Sequence, residues 1–547
     1  MKTLKIFSLS LVIASVLPAG RPLAGSQLWT HTFNREIWWH RVTDLGTLLV
    51  GTEDGIYSFN PETGQIAWQR EDLKKTPEHN VEEIRGTPFL LISQAEGKIK
   101  VKTRLYALNV LTGKAIWETD RVKGLGVDVV PVPSKGLVLL LTTPYTALKS
   151  ELGLTALDLA TGNVVWESEL KQKVRLAIAD GSGKFKKFDL SGHHPPVIER
   201  DAIYFTCAGL HKYDLNTGKL LWAQQYDVTE KNLKRANAQP IIDGDVIYTS
   251  VRRKLKAIDK RTGQLKWESE KKFKGVVAEM AAVGDVIYGR MGGNFFDTLK
   301  QRWALKKPLG VVAVDKHTGE LIWKYDKARN GITNMVIRED LSTILIADAR
   351  HLIGLDAHSG EKPREAFREK LTFNLKIGLG DPKGGRVKGD MPVAISTRED
   401  GIVVVRGKQH LLAFDPQKRN TVWSVQYRAP DVSGWTKLTM AEASNQAAGS
   451  PTQNQWTNAD RWEALANYAQ VADQRFSTAA DKYAYILTQI GEGNQKRVGV
   501  IGVSLHTGQG ERQVLLNDEN PNLRVDEVAG RVFNVVQKVE LIAFSVN

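Results

Sequence analysis

Residues Ala156–Trp166 read ALDLATGNVVW, and the spacing inside them decides the fold. Asp158 closes an apolar stretch, and its carboxylate can cap a tight turn. Gly162 follows four residues later, where a positive φ lets the chain leave a hairpin. Trp166 stands four residues past the glycine, on the returning strand. The same eleven-residue frame recurs at Ala107–Trp117, Ala257–Trp267 and Ala313–Trp323. Ser58–Trp68 and Lys212–Trp222 differ only at their first positions, and Pro61 takes a turn position in the former. Weaker copies follow. Gly354 leads one with Asp356 and Ser359-Gly360, but with Arg364 in place of tryptophan. Ala413 leads another with Asp415 and Trp423 but no Thr-Gly pair, and Val503 a third with Thr507-Gly508 and no tryptophan.

Short β-branched runs precede each copy, such as Ala202–Thr206 and Val246–Thr249, so each unit reads as four short antiparallel strands. Successive tryptophans from Trp68 to Trp323 lie 49, 49, 56, 45 and 56 residues apart. Four-stranded units at this period make a β-propeller. The C-terminal Leu541-Ile542-Ala543-Phe544 resembles a third strand with no fourth after it. Gln27-Leu28-Trp29-Thr30 resembles a fourth strand with its tryptophan, so the last blade is expected to be completed from both chain ends. Nine motifs and this composite blade give ten units. Eight docking tryptophans are visible (Trp29, Trp68, Trp117, Trp166, Trp222, Trp267, Trp323 and Trp423), so an eight-bladed ring with 324–372 and 430–498 as insertions is the alternative. The class is all-β, a single large propeller over 26–547.

The remaining features concern compartment and partner. Lys2 and Lys5, an apolar run from Ile6 to Leu17, and small residues from Ala19 to Gly25 have the layout of a secretory leader, 1–25, cut between Ala19 and Ser26. Its removal through Gly25 lowers the net charge from +14 to +11. The expected location is the periplasm or extracellular space. No later stretch supplies the ~20 apolar residues of a membrane span. The single cysteine, Cys207, excludes an intrachain disulfide and a CxxC centre, and leaves none near the cut for a lipid. No nucleotide, zincin or serine-hydrolase fingerprint appears, and nucleic acid is an unsuitable partner for an exported chain without a binding motif.

The motifs resemble the pyrroloquinoline quinone (PQQ) repeat, across nearly all of 27–547. The resemblance implies one of two roles. One is a quinoprotein dehydrogenase binding PQQ with Ca²⁺. The other is a non-catalytic propeller similar to the outer-membrane β-barrel assembly lipoprotein. The adjacent cysteine pair that holds PQQ in many quinoprotein alcohol dehydrogenases is missing. The repeated aspartates Asp158, Asp214, Asp259, Asp315, Asp356 and Asp415 occupy turns, and no local Ca²⁺ loop is seen. The sequence therefore favours a monomeric, non-catalytic scaffold with no cofactor, and PQQ-dependent oxidoreduction is the alternative.

Candidate partner-binding residues come from the loops joining second to third strands. These hold nineteen bases and seven acids. Lys98, Lys100, Arg252, Arg253, Arg290, Arg302 and Lys306 are chosen from them. Such a face would attract an envelope protein or an anionic glycan or lipid surface. The loop 289–310 adds Phe295, Phe296 and Trp303, aromatic residues beside bases, with Gly292-Gly293 as a flexible turn. In the irregular region 430–480, Trp462, Leu465, Ala469, Ala472 and Phe476 form one apolar stripe of a short inserted helix. Trp462 joins the candidates. His193-His194 would need further ligands to hold a metal.

Overall fold

In a computed structural model, residues 23–546 are described apart from 171–193, 227–237, 371–391, 428–482 and short stretches at hairpin tips and blade connections. The motif's physics is visible in blade three, 126–170. Its second strand, Leu137–Thr142, is buried at every position because both faces meet neighbouring blades. Its fourth strand, Val164–Leu170, alternates: Trp166 and Leu170 point into the interior and Val165 to solvent.

The strands form ten four-stranded sheets. Eight are consecutive antiparallel meanders over 37–70, 81–123, 126–170, 194–225, 241–268, 277–328, 336–370 and 392–426. The tenth blade is built from both ends. Asn522–Asp526, Arg531–Val536 and Glu540–Ser545 are joined by Ser26–Thr32, with Trp29 opposite Ala543. The ninth contains Tyr483–Ile490, Arg497–Ser504 and Gly510–Leu515, and Leu23–Ala24 pairs parallel to the last of these. The segments 336–370 and 483–515 are therefore blades seven and nine, which corrects the eight-bladed alternative. Residues 457–476, where the sequence suggests a helix, lie outside the described residues.

Each of the ten successive junctions holds its own buried apolar cluster, from blades one and two through to ten and one. The hydrophobic core is thus a ring of interfaces rather than a single centre. Burial at these interfaces fixes the blades in order.

Eight junctions use the motif tryptophan. In seven, its indole N–H donates to the carbonyl three residues before the next turn's glycine: Pro61, Val110, Leu159, Leu215, Lys260, Lys316 and Ala357. Trp423 instead reaches His506. The ring lies against the glycine itself. A Cβ placed on Gly113 would stand 2.6 Å from Cδ2 of Trp68, and the φ of +66° there also favours glycine.

Blades seven and eight have no tryptophan between them. There Asn334 exchanges two hydrogen bonds with the backbone of Ile395, at 2.8 and 3.0 Å. Arg338 donates to the carbonyl of Gly401 at 2.7 Å.

Candidate functional site

A four-stranded meander places its first and third turns on one face of the ring and its second turn, with the blade connections, on the other. The first face is occupied by structural bonds. Asp158, Asp214, Asp259, Asp315, Asp356 and Asp415 accept from the backbone N–H groups two and three residues ahead. These donors stabilise the anion. The Thr161 hydroxyl holds Asp158, and the Thr262 backbone holds Asp259, below the ordinary carboxylate value.

Ion pairs on the same face link neighbouring blades: Lys135 with Asp201 at 2.7 Å, Lys260 with Glu199 at 3.1 Å, Lys316 with Asp243, and Arg531 with Glu62 at 2.7 Å. The triplet Arg-Glu-Asp recurs at 70–72, 338–340 and 398–400. In each, aspartate holds the guanidinium, which donates to a carbonyl of another blade: Gly113, Gly401 or Leu505. This recurrence is readable in the sequence as a repeated Arg-Glu-Asp.

The sequence expects its candidate site residues on the second face. Lys98, Lys100, Arg252 and Trp462 lie outside the described residues, as do Cys207 and His193. Arg253 sits at a hairpin tip, half-buried, with a φ of +73°. Arg290 is a correction. It has no exposure, pairs with Glu279 at 2.8 Å and donates to the carbonyl of Gly292 at 2.8 Å. It belongs to the interior because its place on a second strand faces the junction with blade seven, where Glu279 also accepts from the Met335 N–H. Burial pushes the Glu279 carboxyl up, and the Arg290 charge opposes that. Other bases counted in the sequence are paired within the ring: Arg104 with Glu96 and Glu118, Lys254 with Glu268, and Lys538 with Glu36. Part of the positive excess read from the loops is thus neutralised.

Phe295, Phe296, Arg302, Trp303 and Lys306 come together in blade six. Its second and third strands, Val286–Asp297 and Arg302–Asp315, are the longest among the described residues at 12 and 14 residues. The first strand of the blade pairs no further than Met291. Beyond it the two strands continue as a ribbon, with Gly293 opposite Lys306, Phe295 opposite Ala304, Phe296 opposite Trp303, and Asp297 opposite Arg302. The expected flexible loop is therefore a hairpin extension. Gly292-Gly293 lies at its base, at a register shift, rather than at its tip. Two bonds fix that base: Arg290 to the Gly292 carbonyl, and the Gly292 N–H to the carbonyl of Val276 at 2.7 Å. The sequence signal for it is weak, because Gly292-Gly293-Asn294 and Lys307-Pro308 interrupt the β-rich flanks on either side of Phe295-Phe296 and Trp303.

Ten four-stranded blades closed by both chain ends define a β-propeller. The repeats and the ring agree with what comparison of the sequence finds. The chain belongs to the PQQ-like repeat family described as outer membrane protein assembly factor BamB, which matches residues 14–182 and 178–290. A segment of 111 residues is 31% identical to the dehydrogenase subunit of a quinone-dependent alcohol dehydrogenase from Gluconobacter oxydans; it covers 20% of this chain and 14% of that protein's length. Among solved structures, BamB from Moraxella catarrhalis is similar at 15% identity and a TM-score of 0.37, covering 72% of this chain and 97% of that one. The dihydro-heme d1 dehydrogenase NirN gives 14% identity and a TM-score of 0.36, with 61% and 66% covered. Among the described residues no three His, Cys, Asp or Glu side chains converge as metal ligands. No helix among them is long and apolar enough to cross a membrane.

Proposed function

We propose that this chain is an exported, non-catalytic propeller scaffold that holds an envelope protein or anionic envelope material on the face of its second-turn hairpins. The blade-six ribbon carries this reading. It runs past its own sheet on that face, where the first strand of the blade pairs no further than Met291. On the opposite face Asp158, Arg338, Lys135 and Lys260 are committed to turns and inter-blade bonds. Membership of a family described as an outer membrane protein assembly factor supports an envelope role.

The test exchanges residues 293–306 for a short Gly-Ser turn. The exchanged protein should keep the melting temperature of the parent and lose retention of components from a solubilised envelope fraction. Unchanged retention would remove the ribbon from the function. The short match to a quinone-dependent dehydrogenase keeps oxidoreduction as the second reading. A rise in melting temperature with PQQ and Ca²⁺, together with dye reduction, would establish it in place of the scaffold.

A further inference from the structure

We infer that the blade-six ribbon docks the ring on an anionic lipid bilayer, which names the partner of the face proposed above and rests on that proposal. Three observations converge. The first is reach. Gly293 to Asp297, paired with Arg302 to Lys306, extends about 16 Å past the sheet at ~3.3 Å per residue. An interfacial element buries about 5–10 Å into the headgroup boundary, so the ribbon can enter that depth while the blades stay in water.

The second is composition. Phe295, Phe296 and Trp303 stand on the two strands with Phe296 directly opposite Trp303. Aromatic residues concentrate at membrane–water interfaces, where an apolar ring meets the headgroup region. The third is charge. Within 293–297 and 302–307, Arg302, Lys306 and the exposed Lys307 stand against one acid, Asp297. Bases near an anionic leaflet add to the attraction. The ribbon is also held at a defined angle, because Arg290 and the Gly292 N–H pin its base to the buried interior. A fixed base lets aromatic and basic residues enter together rather than as a loose loop, which lowers the ordering cost of docking.

The experiment is cosedimentation of the purified full chain with vesicles containing phosphatidylglycerol and with vesicles of phosphatidylcholine alone. The expected result is sedimentation with the anionic vesicles, weakened by salt. Lys306→Gln with Lys307→Gln should weaken it about 30-fold, at ~1 kcal/mol per base. Phe296→Ser with Trp303→Ser should abolish it, with an unchanged melting temperature as the control for folding. Failure of the parent chain to bind anionic vesicles, or equal binding by both double variants, overturns the inference. If vesicles do not bind while the Gly-Ser exchange still abolishes retention of envelope proteins, the partner is a protein: the inference falls and the proposed function stands. If neither responds, both fall.

Discussion

Trp166→Ala tests whether the ring is held by its inter-blade indoles. Trp166 is 8% exposed and packs with Leu139, Leu154, Ile203, Phe205, Tyr213 and Leu215, from blades three and four. Its N–H donates to the carbonyl of Leu215 at 2.9 Å, and its ring covers Gly218. Truncation leaves a cavity of indole size between two blades and an acceptor without its donor. The expected cost is about 3–5 kcal/mol. Trp166→Phe keeps one six-membered ring and removes the donor with the rest of the indole, so an intermediate loss of about 1–3 kcal/mol is expected. Trp423 is the internal control. Its indole bond to His506 lies in an exposed setting, so Trp423→Ala should cost about 1–2 kcal/mol. A large protein dilutes such losses on the temperature axis. With ~2 cal/mol/K per residue, 4 kcal/mol shifts melting by only about 4 °C. Urea unfolding combined with hydrogen exchange across blades three and four is therefore the more sensitive assay. A loss below 1 kcal/mol for Trp166→Ala, or an equal loss for Trp423→Ala, would refute the argument that burial between blades sets the strength of each contact.

Three further outcomes follow from the same geometry. Gly113→Ala should destabilise by about 1–3 kcal/mol, read by urea unfolding, because it combines a positive φ with a clash against Trp68. Arg290→Met should cost about 3–5 kcal/mol by leaving Glu279 buried and unpaired, and adding Glu279→Gln should recover part of that loss. Acid should destabilise the ring in two stages, followed by urea unfolding against pH. His40 and His410 are pushed down by burial to about 3 and about 4, so only the unfolded chain takes up their protons below pH 6.5, and each removes up to ~1.4 kcal/mol per pH unit down to about pH 4. The turn aspartates have folded values below their unfolded ones, so their contribution is present above about pH 4 and is lost as pH falls through that range. Asp158→Asn should lack its own share of that last loss, since Asn60 and Asn109 make the same turn bonds without titrating.

The ring was legible because its information is local and repeated. Asp158, Gly162 and Trp166 each solve a problem within one hairpin or with the next, and eleven residues carry the whole solution. Blade count was harder, because the junction of blades seven and eight replaces the tryptophan with Asn334 and Arg338, residues whose partners at Ile395 and Gly401 lie some sixty residues away. The binding face was less legible for a related reason. Charge counted along loops cannot show which bases meet an acid across the fold. Arg290 read as an exposed loop base, yet Glu279 lies on an adjacent strand and takes it into the interior. Phe296 and Trp303 read as loop aromatics, and only strand register placed them opposite each other.

The same limit applies at the N-terminus, where a structural reason now competes with the sequence one. Small residues from Ala19 to Gly25 fit a leader's cleavage region, and Gly25 was a natural last residue of it. In the ring, however, Gly25 passes between two sheets. Its N–H donates to the carbonyl of Gln513 at 2.6 Å, and a Cβ there would collide with the carbonyl of Ser545. Leu23–Ala24 adds to blade nine while Ser26–Thr32 completes blade ten. Blades nine and ten have no motif tryptophan between them, so this segment bridges a junction that lacks the usual clamp. A cut after Gly25 would keep the fourth strand of blade ten and discard the bridge. The prediction is that any leader is cut between Gly20 and Leu23, read by intact mass and N-terminal sequencing of the protein recovered from cells expressing the full chain. A mature chain beginning at Ser26 with undiminished stability would show that the bridge is dispensable. Loss of stability on trimming through Gly25 would show that the bridge holds blades nine and ten together, and a comparable loss for Gly25→Ala would assign the glycine to the pinch between them.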